Sequence, residues 1–168
     1  MLSWAIASGG PCAIVYPKGT VPPVREGGAA PPLRGGKARV LRDGADITLV
    51  AVGAMAGVAE DVAARLAKEG KSAGVLDARF VKPLDRDAIL AAARKTGRLV
   101  TLEENALEGG FGSAVLELLS AEGIRAVEAV SFGIGDGYVE QGGRGEIMAA
   151  LGLDAASVAR RIMERFWK

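Results

Sequence analysis

Hydrophobic positions follow two different periods in the part of the chain after residue 35. Short runs of aliphatic residues, such as ITLVAV at 47–52, are typical of buried strands in a parallel sheet. They alternate with segments in which apolar residues recur at helical spacing, such as Val58, Val62 and Leu66. The predicted strands are residues 37–42, 47–52, 72–76, 99–104 and 126–132. One leading strand followed by four strand–helix units predicts a doubly wound, three-layer α/β domain over residues 35–168.

Acidic residues and glycines mark where the helices begin and end. Asp85 and Asp154 each precede a helical segment and are predicted to cap it. Gly97 is predicted to end the helix that carries Ile89 and Leu90. Segment 53–57 is predicted to be a loop. So is GIGDG at 133–137, which lacks the glycine spacing of a dinucleotide site.

The first part of the chain has a different composition. Residues 1–8 have the pattern of one or two helical turns, and CAIVY at 12–16 is predicted to be a buried strand. Five of the seven prolines lie between Pro17 and Pro32, which predicts an exposed linker over residues 19–34. One helix and one strand cannot form a core of their own. We therefore expect residues 1–18 to be the end of a preceding domain, and residues 1–34 to be poorly ordered or docked on another chain.

The stretch EENALEGGFGSAVLELL at 103–119 combines the end of a strand, a glycine loop (105–112) and a helix. Such a loop lies at the carboxyl end of a parallel strand, where α/β sheets usually bind ligands. The alternative, which we favour, is that the glycines permit close strand–helix packing. Glu103 and Glu104 are neighbours on a strand, so their side chains point to opposite faces and do not form an acid–base pair. We expect one of them to bind N–H groups of residues 54–57 or 110–113 at a helix terminus.

Composition excludes several function classes. The chain has 21 Lys and Arg against 20 Asp and Glu, without a block of like charge, which argues against nucleic acid and membranes as partners. Histidine is absent, which removes the Ser-His-Asp triad and histidine metal sites. The single cysteine, Cys12, rules out an internal disulfide and favours a cytoplasmic location. We predict no catalytic residue and no metal site in this chain. Asp77, Arg79 and Lys82 form either a phosphate cluster or a solvated loop, and we favour the loop.

Five motifs together resemble a known family: AIVYPKG (13–19), DARFVKPLD (77–85), EENALEGGFGSAVLELL (103–119), GIGDGYVEQG (133–142) and GLD (152–154). They are similar to the C-terminal domain of the 1-deoxy-D-xylulose-5-phosphate synthase family, in the transketolase superfamily. The resemblance covers essentially the whole chain. It implies a five-stranded, mostly parallel sheet in the order 1-3-2-4-5, with the first strand antiparallel. Residues 1–18 would be the remnant of a pyrimidine-binding domain, and residues 35–168 a transketolase C-terminal-like domain.

The resemblance also implies a function for the complete enzyme. Members of this family condense pyruvate with glyceraldehyde 3-phosphate, with loss of carbon dioxide, on thiamine diphosphate and magnesium, for isoprenoid, thiamine and pyridoxal synthesis. The cofactor sites lie in the preceding domains, so we expect no cofactor in this chain and no activity from the chain alone. The implied partners are the N-terminal thiamine-diphosphate-binding domains or subunit, in a homo-oligomer. The motif residues expected to be structural or interdomain are Asp77, Arg79, Glu103, Glu104, Asn105, Gly109, Gly110 and Gly112.

Two departures from the family pattern affect the site. Val15 replaces an arginine that is thought to hold the substrate phosphate, which leaves Lys18 as the remaining phosphate candidate. Gln141 stands where the family usually has histidine. Two other functions stay open at this point. The chain could be a non-catalytic interaction or regulatory module, or the C-terminal domain of an E1β subunit of a 2-oxoacid dehydrogenase, which would bind a lipoyl-transferase core.

Overall fold

The computed structural model describes residues 1–17, 19 and 32–168, and these residues contain a five-stranded sheet flanked by helices. Its strands are β1 (Arg39–Arg42), β2 (Ile47–Ala51), β3 (Ala73–Asp77), β4 (Arg98–Ala106) and β5 (Glu128–Ile134). The helices are α1 (Leu2–Ser8), α2 (Met55–Lys68), α3 (Arg86–Thr96), α4 (Phe111–Ala121), α5 (Arg144–Ala150) and α6 (Ala155–Trp167). The strand order is β1-β3-β2-β4-β5, with β1 antiparallel to β3 and the other pairs parallel. This confirms the predicted sheet.

Two hydrophobic cores lie on the two faces of the sheet, because successive side chains of a strand point in opposite directions. Ile47 and Leu49 of β2 pack on one face with helices α2 and α6. Val50 of the same strand packs on the other face with α3 and α4. All five residues of β2 are buried, as expected for the central strand of a three-layer domain.

Three predicted helix boundaries are confirmed. The Asp85 side chain accepts a hydrogen bond from the Ala88 N–H at the start of α3, and Asp154 accepts from the first N–H groups of α6. Gly97 ends α3 in the left-handed conformation.

Other boundaries were predicted wrongly. Helix α2 begins at Met55 and α4 at Phe111, so Gly57 and Gly112 belong to helices and not to loops. Both glycines lie in the first turn of their helix, where the N–H groups make no intrahelical hydrogen bond. A glycine there does not prevent the helix from starting. Strand β4 extends to Ala106, so Asn105 also lies on the strand. The reason is that Ala106 still pairs with β5 after an irregularity in the register.

The N-terminal segment only partly follows the sequence prediction. Helix α1 forms, but residues 11–17 are exposed and not in a strand, so the predicted strand at 12–16 is wrong. A strand requires a hydrogen-bonded neighbour, and no strand of the described residues pairs with this segment. Residues 20–31, most of the predicted linker, lie outside the described residues. Within the ranges that the structure does describe, no helix has the length and hydropathy needed to cross a bilayer.

Asp85 connects the start of α3 to the segment before β1. Its Oδ1 accepts hydrogen bonds from the Ala88 N–H (3.3 Å) and from Nζ of Lys37 (3.1 Å), and its Oδ2 accepts from the Ala38 N–H (2.9 Å). Only 6% of Asp85 is exposed. Burial alone would raise the pKa of this carboxyl, but the hydrogen bonds from Ala38, Lys37 and Ala88 outweigh burial and lower the pKa.

We expect Asp85→Ala to lower the free energy of unfolding by about 2 kcal/mol at neutral pH, because the cap and the Ala38 contact are both lost. The folded-state pKa is depressed, so this stabilisation is complete above the unfolded-state value of 3.8 and is lost as the pH falls through the folded-state pKa. Urea unfolding of both proteins at about pH 7 and about pH 3 measures the effect. An equal difference in the free energy of unfolding between the two proteins at both pH values would show that the stabilisation does not come from the Asp85 carboxylate.

Candidate functional site at the carboxyl edge of the sheet

The parallel strands β2 to β5 end at one edge of the sheet, here called the carboxyl edge. From β2 the chain crosses to β3 on one side and returns to β4 on the other side, so β2 and β4 flank a topological switch point. Open α/β sheets usually bind ligands at such a point. The loop after β4 leads directly into α4, whose first N–H groups have no intrahelical acceptor.

Glu103 occupies the position in front of α4. Its Oε2 accepts a hydrogen bond from the Phe111 N–H (2.7 Å), and its Oε1 accepts from the Gly112 N–H (2.8 Å). The side chain is completely buried. These hydrogen bonds confirm the prediction that a carboxylate of the Glu-Glu pair binds N–H groups of residues 110–113. The groups that would hold an external anion at this helix terminus therefore already have an internal acceptor.

The glycines of the loop allow this close approach. A Cβ on Gly110 would collide with the Ala106 carbonyl oxygen and with the Glu103 carboxylate. A Cβ on Gly112 would lie 2.6 Å from Oγ of Ser131 and 2.7 Å from Oγ1 of Thr101. These contacts support the interpretation that the glycines serve packing.

The remaining loop residues fix its turn. Gly109 has a φ of +70°, a conformation that L side chains rarely adopt, although a Cβ at this position would meet no other atom within 4 Å. Ser113 Oγ accepts from the Gly109 N–H (3.0 Å) and donates to the Leu107 carbonyl oxygen (3.1 Å). The loop thus closes on the first turn of α4.

Glu104 points away from Glu103 and binds Arg144 at the start of α5. The two Glu104 oxygens accept from Nε of Arg144 at 2.8 and 3.0 Å, and Oε2 also accepts from Nη2 at 2.6 Å. The hydrogen bonds to Glu104 raise the pKa of the Arg144 guanidinium. The sequence prediction missed Arg144, which lies 40 residues from Glu104, because no local pattern links a strand end to so distant a residue.

Glu104 lines two open depressions. The first, of about 410 Å³, is lined by Glu104, Asn105, Glu108 and Asp136, among others. Its carboxylates oppose the binding of an anion. The second, of about 330 Å³, is lined by Pro17, Arg144 and Met148, among others. The structure therefore brings Asn105 beside Glu104 in an acidic depression, apart from the buried Glu103.

Asp77 and Arg79 meet at the end of β3. Asp77 Oδ1 accepts from the Arg79 N–H (3.1 Å), and Oδ2 lies 3.5 Å from Arg79 Nε. Burial raises the pKa of the Asp77 carboxyl, and the hydrogen bond and charge of Arg79 only partly offset this rise. Lys82 is exposed, so the pair forms a braced loop, which supports the favoured interpretation. Lys18, the phosphate candidate, lies outside the described residues. In the described ranges, no group of three or more Cys, Asp or Glu side chains could hold a metal ion.

We expect Glu103→Ala to lower the free energy of unfolding by about 3 kcal/mol, because two buried N–H groups lose their acceptor. Glu103→Gln keeps the shape but places an amide N–H₂ against one of these donors, so it should also destabilise the fold. The matched control is Glu104→Ala on the same strand, with an expected loss below about 1 kcal/mol because its ion pair is partly exposed. Urea unfolding measures all three differences. Equal losses for the Glu103 and Glu104 alanine variants would contradict the structural role of Glu103.

Comparison with known proteins agrees with this architecture. Residues 36–158 match the family model of the transketolase C-terminal domain. The chain is 47% identical over 99% of its length to the 1-deoxy-D-xylulose-5-phosphate synthase of Pelotomaculum thermopropionicum, and 47% identical over 96% to such a synthase of Geobacter metallireducens. It spans 26% of the length of each of these relatives.

Solved structures give the same result. A split-gene transketolase, described as an inactive tetramer of four beta subunits, superimposes with a TM-score of 0.73 at 34% identity, over 89% of this chain and 46% of that one. A transketolase variant from Pichia stipitis shares the fold alone, with a TM-score of 0.56 at 19% identity over 76% of this chain and 17% of that one. The sheet order, the family-model match and these relatives together show that the chain belongs to the family of transketolase C-terminal domains.

Proposed function

We propose that the chain is the C-terminal domain of a 1-deoxy-D-xylulose-5-phosphate synthase-type enzyme, in which it has a structural and assembly role. The observation that carries this proposal is the 47% identity to such a synthase across 99% of the chain. The complete enzyme would condense pyruvate with glyceraldehyde 3-phosphate, with release of carbon dioxide. Its location would be cytoplasmic, as the single cysteine suggests.

The described residues of this chain do not fit thiamine diphosphate and magnesium. A diphosphate needs free N–H groups or cations, but Glu103 already accepts from the Phe111 and Gly112 N–H groups of α4. The depression beside Glu104 is lined by carboxylates, and the described part of the chain holds no metal-binding cluster. We therefore assign the cofactors to the preceding domains or subunit.

The domain division is part of the proposal. Residues 1–18 would belong to the preceding pyrimidine-binding domain, 19–34 to the linker, and 35–168 to the C-terminal domain. In support, residues 1–17 contain no fully buried side chain, whereas the family-model match begins at residue 36. The preceding domains would contact the carboxyl edge, where Glu104, Asn105 and the Asp77–Arg79 loop lie. A homo-oligomer is also proposed, in line with the tetrameric split-gene relative.

A chimera tests this role directly. The matching segment of the Pelotomaculum thermopropionicum synthase is replaced by this chain, and product formation is measured with pyruvate, glyceraldehyde 3-phosphate, thiamine diphosphate and magnesium. We expect activity within about tenfold of the parent, a loss of no more than about 1.4 kcal/mol in transition-state stabilisation. The parent without the segment and the isolated chain are expected to be inactive.

Further controls separate the possible outcomes. A folded chimera without activity, beside an active parent, would contradict the proposal and favour a non-catalytic interaction module. Product formation by the isolated chain would contradict the assignment of the cofactors to other domains.

Val15→Arg in the chimera is expected to lower the KM for glyceraldehyde 3-phosphate, because it restores the arginine of the family pattern.

A further inference from the structure

Helix α1 has only seven residues, and none of them is fully buried. Isolated helices shorter than about 12 residues are marginal in water. The helix therefore needs a contact with the rest of the chain to remain folded. Trp4 and Ala5 are its half-buried residues, whereas Leu2 and Ile6 are 66% and 73% exposed.

Trp4 lies close to Phe80 and Gly35. The ring centroids of Trp4 and Phe80 are 5.2 Å apart at an interplanar angle of 77°, an edge-to-face arrangement that aromatic pairs favour. The indole also lies close to Gly35. A Cβ at Gly35 would come within 2.7 Å of Cζ2 of Trp4.

The two segments that carry Gly35 and Phe80 are both held by contacts within residues 35–168. Gly35 precedes Lys37 and Ala38, which are both hydrogen-bonded to Asp85 at the start of α3. The segment that carries Gly35 is thus tied to a helix terminus of the domain.

Phe80 follows the braced Asp77–Arg79 turn. The Phe80 N–H donates to the Ala78 carbonyl oxygen at 2.6 Å, and Arg79 has a φ of +59°. Contacts within the domain thus fix the backbone that carries Phe80.

The sequence led us to expect residues 1–34 to be poorly ordered or docked on another chain. We infer instead that Trp4 docks α1, and with it the segment 1–17, on the C-terminal domain of the same chain, against Gly35 and Phe80. The far end of the segment supports this placement, because Pro17 lines the same depression as Arg144 and Met148. The segment therefore contacts the carboxyl edge at two places, after β3 and near α5. The inference goes beyond the proposed function, since it concerns how two parts of this chain join, whatever reaction the complete enzyme performs.

Amide hydrogen exchange of α1 in the full chain tests whether Trp4 holds this helix on the domain. In the wild-type chain the α1 amides are expected to be protected, and Trp4→Ala is expected to speed their exchange by about tenfold, the upper range for one aromatic pair. Alanine favours helix more than tryptophan does, so a loss of helix propensity cannot explain faster exchange. Leu2→Ala on the same helix is the matched control and is expected to leave the exchange unchanged.

Changes at Phe80 and Gly35 give a second readout. Phe80→Ala and Gly35→Ala should each speed α1 exchange in the same way, with the protection of β2 and β4 unchanged. In a Trp167→Phe background, which leaves Trp4 as the single tryptophan, Phe80→Ala should shift the emission to longer wavelength and increase quenching by iodide. Unprotected α1 amides in the wild-type chain, or equal exchange in the wild-type and Trp4→Ala chains, would overturn the inference.

Discussion

The carboxyl edge of this domain depends on the two hydrogen bonds from the first turn of α4 to Glu103. A parallel sheet places the N-termini of its helices at this edge, where their free N–H groups attract an anion. In this chain the anion is supplied by the preceding strand, from a buried position. The close approach requires glycine at 110 and 112, where any Cβ would collide with the strand or with the carboxylate. One internal contact thus determines both the loop sequence and the absence of a free anion site at α4.

Other acidic side chains fix the surroundings of this contact. Glu104 holds Arg144 at the start of α5, and Asp85 holds the segment before β1 on the start of α3. Asp77 braces the turn that carries Phe80. Glu104 and Asp85 join elements that are distant in the sequence, whereas Asp77 braces a local turn. These contacts give the edge a defined shape, which agrees with the assembly role proposed for this domain.

Local patterns were sufficient to predict much of the fold. The apolar β2, the Val158 and Ile162 stripe of α6 and the caps at Asp85 and Asp154 follow from periodicity and from the chemistry of helix ends. The strand order could be predicted only from the family resemblance, because no local sequence pattern encodes the direction of a crossover between strands. The sequence left the carboxylate at the helix terminus undecided between Glu103 and Glu104, and its N–H partners undecided between residues 54–57 and 110–113. Only the three-dimensional arrangement selects Glu103 and the start of α4. The Arg144 partner and the Trp4–Phe80 contact depend on chain segments that meet only in the folded state. The predicted strand at 12–16 failed for a related reason, since strands exist only in pairs.

The most direct test of this account is a titration of the chain with inorganic phosphate, followed through the amide resonances of Phe111 and Gly112. If Glu103 occupies the α4 terminus, these two resonances should not shift, and their protons should exchange with solvent only through global unfolding. A saturable shift of both resonances would show that phosphate reaches these N–H groups. The carboxyl edge would then be a binding site, contrary to the structural role assigned here.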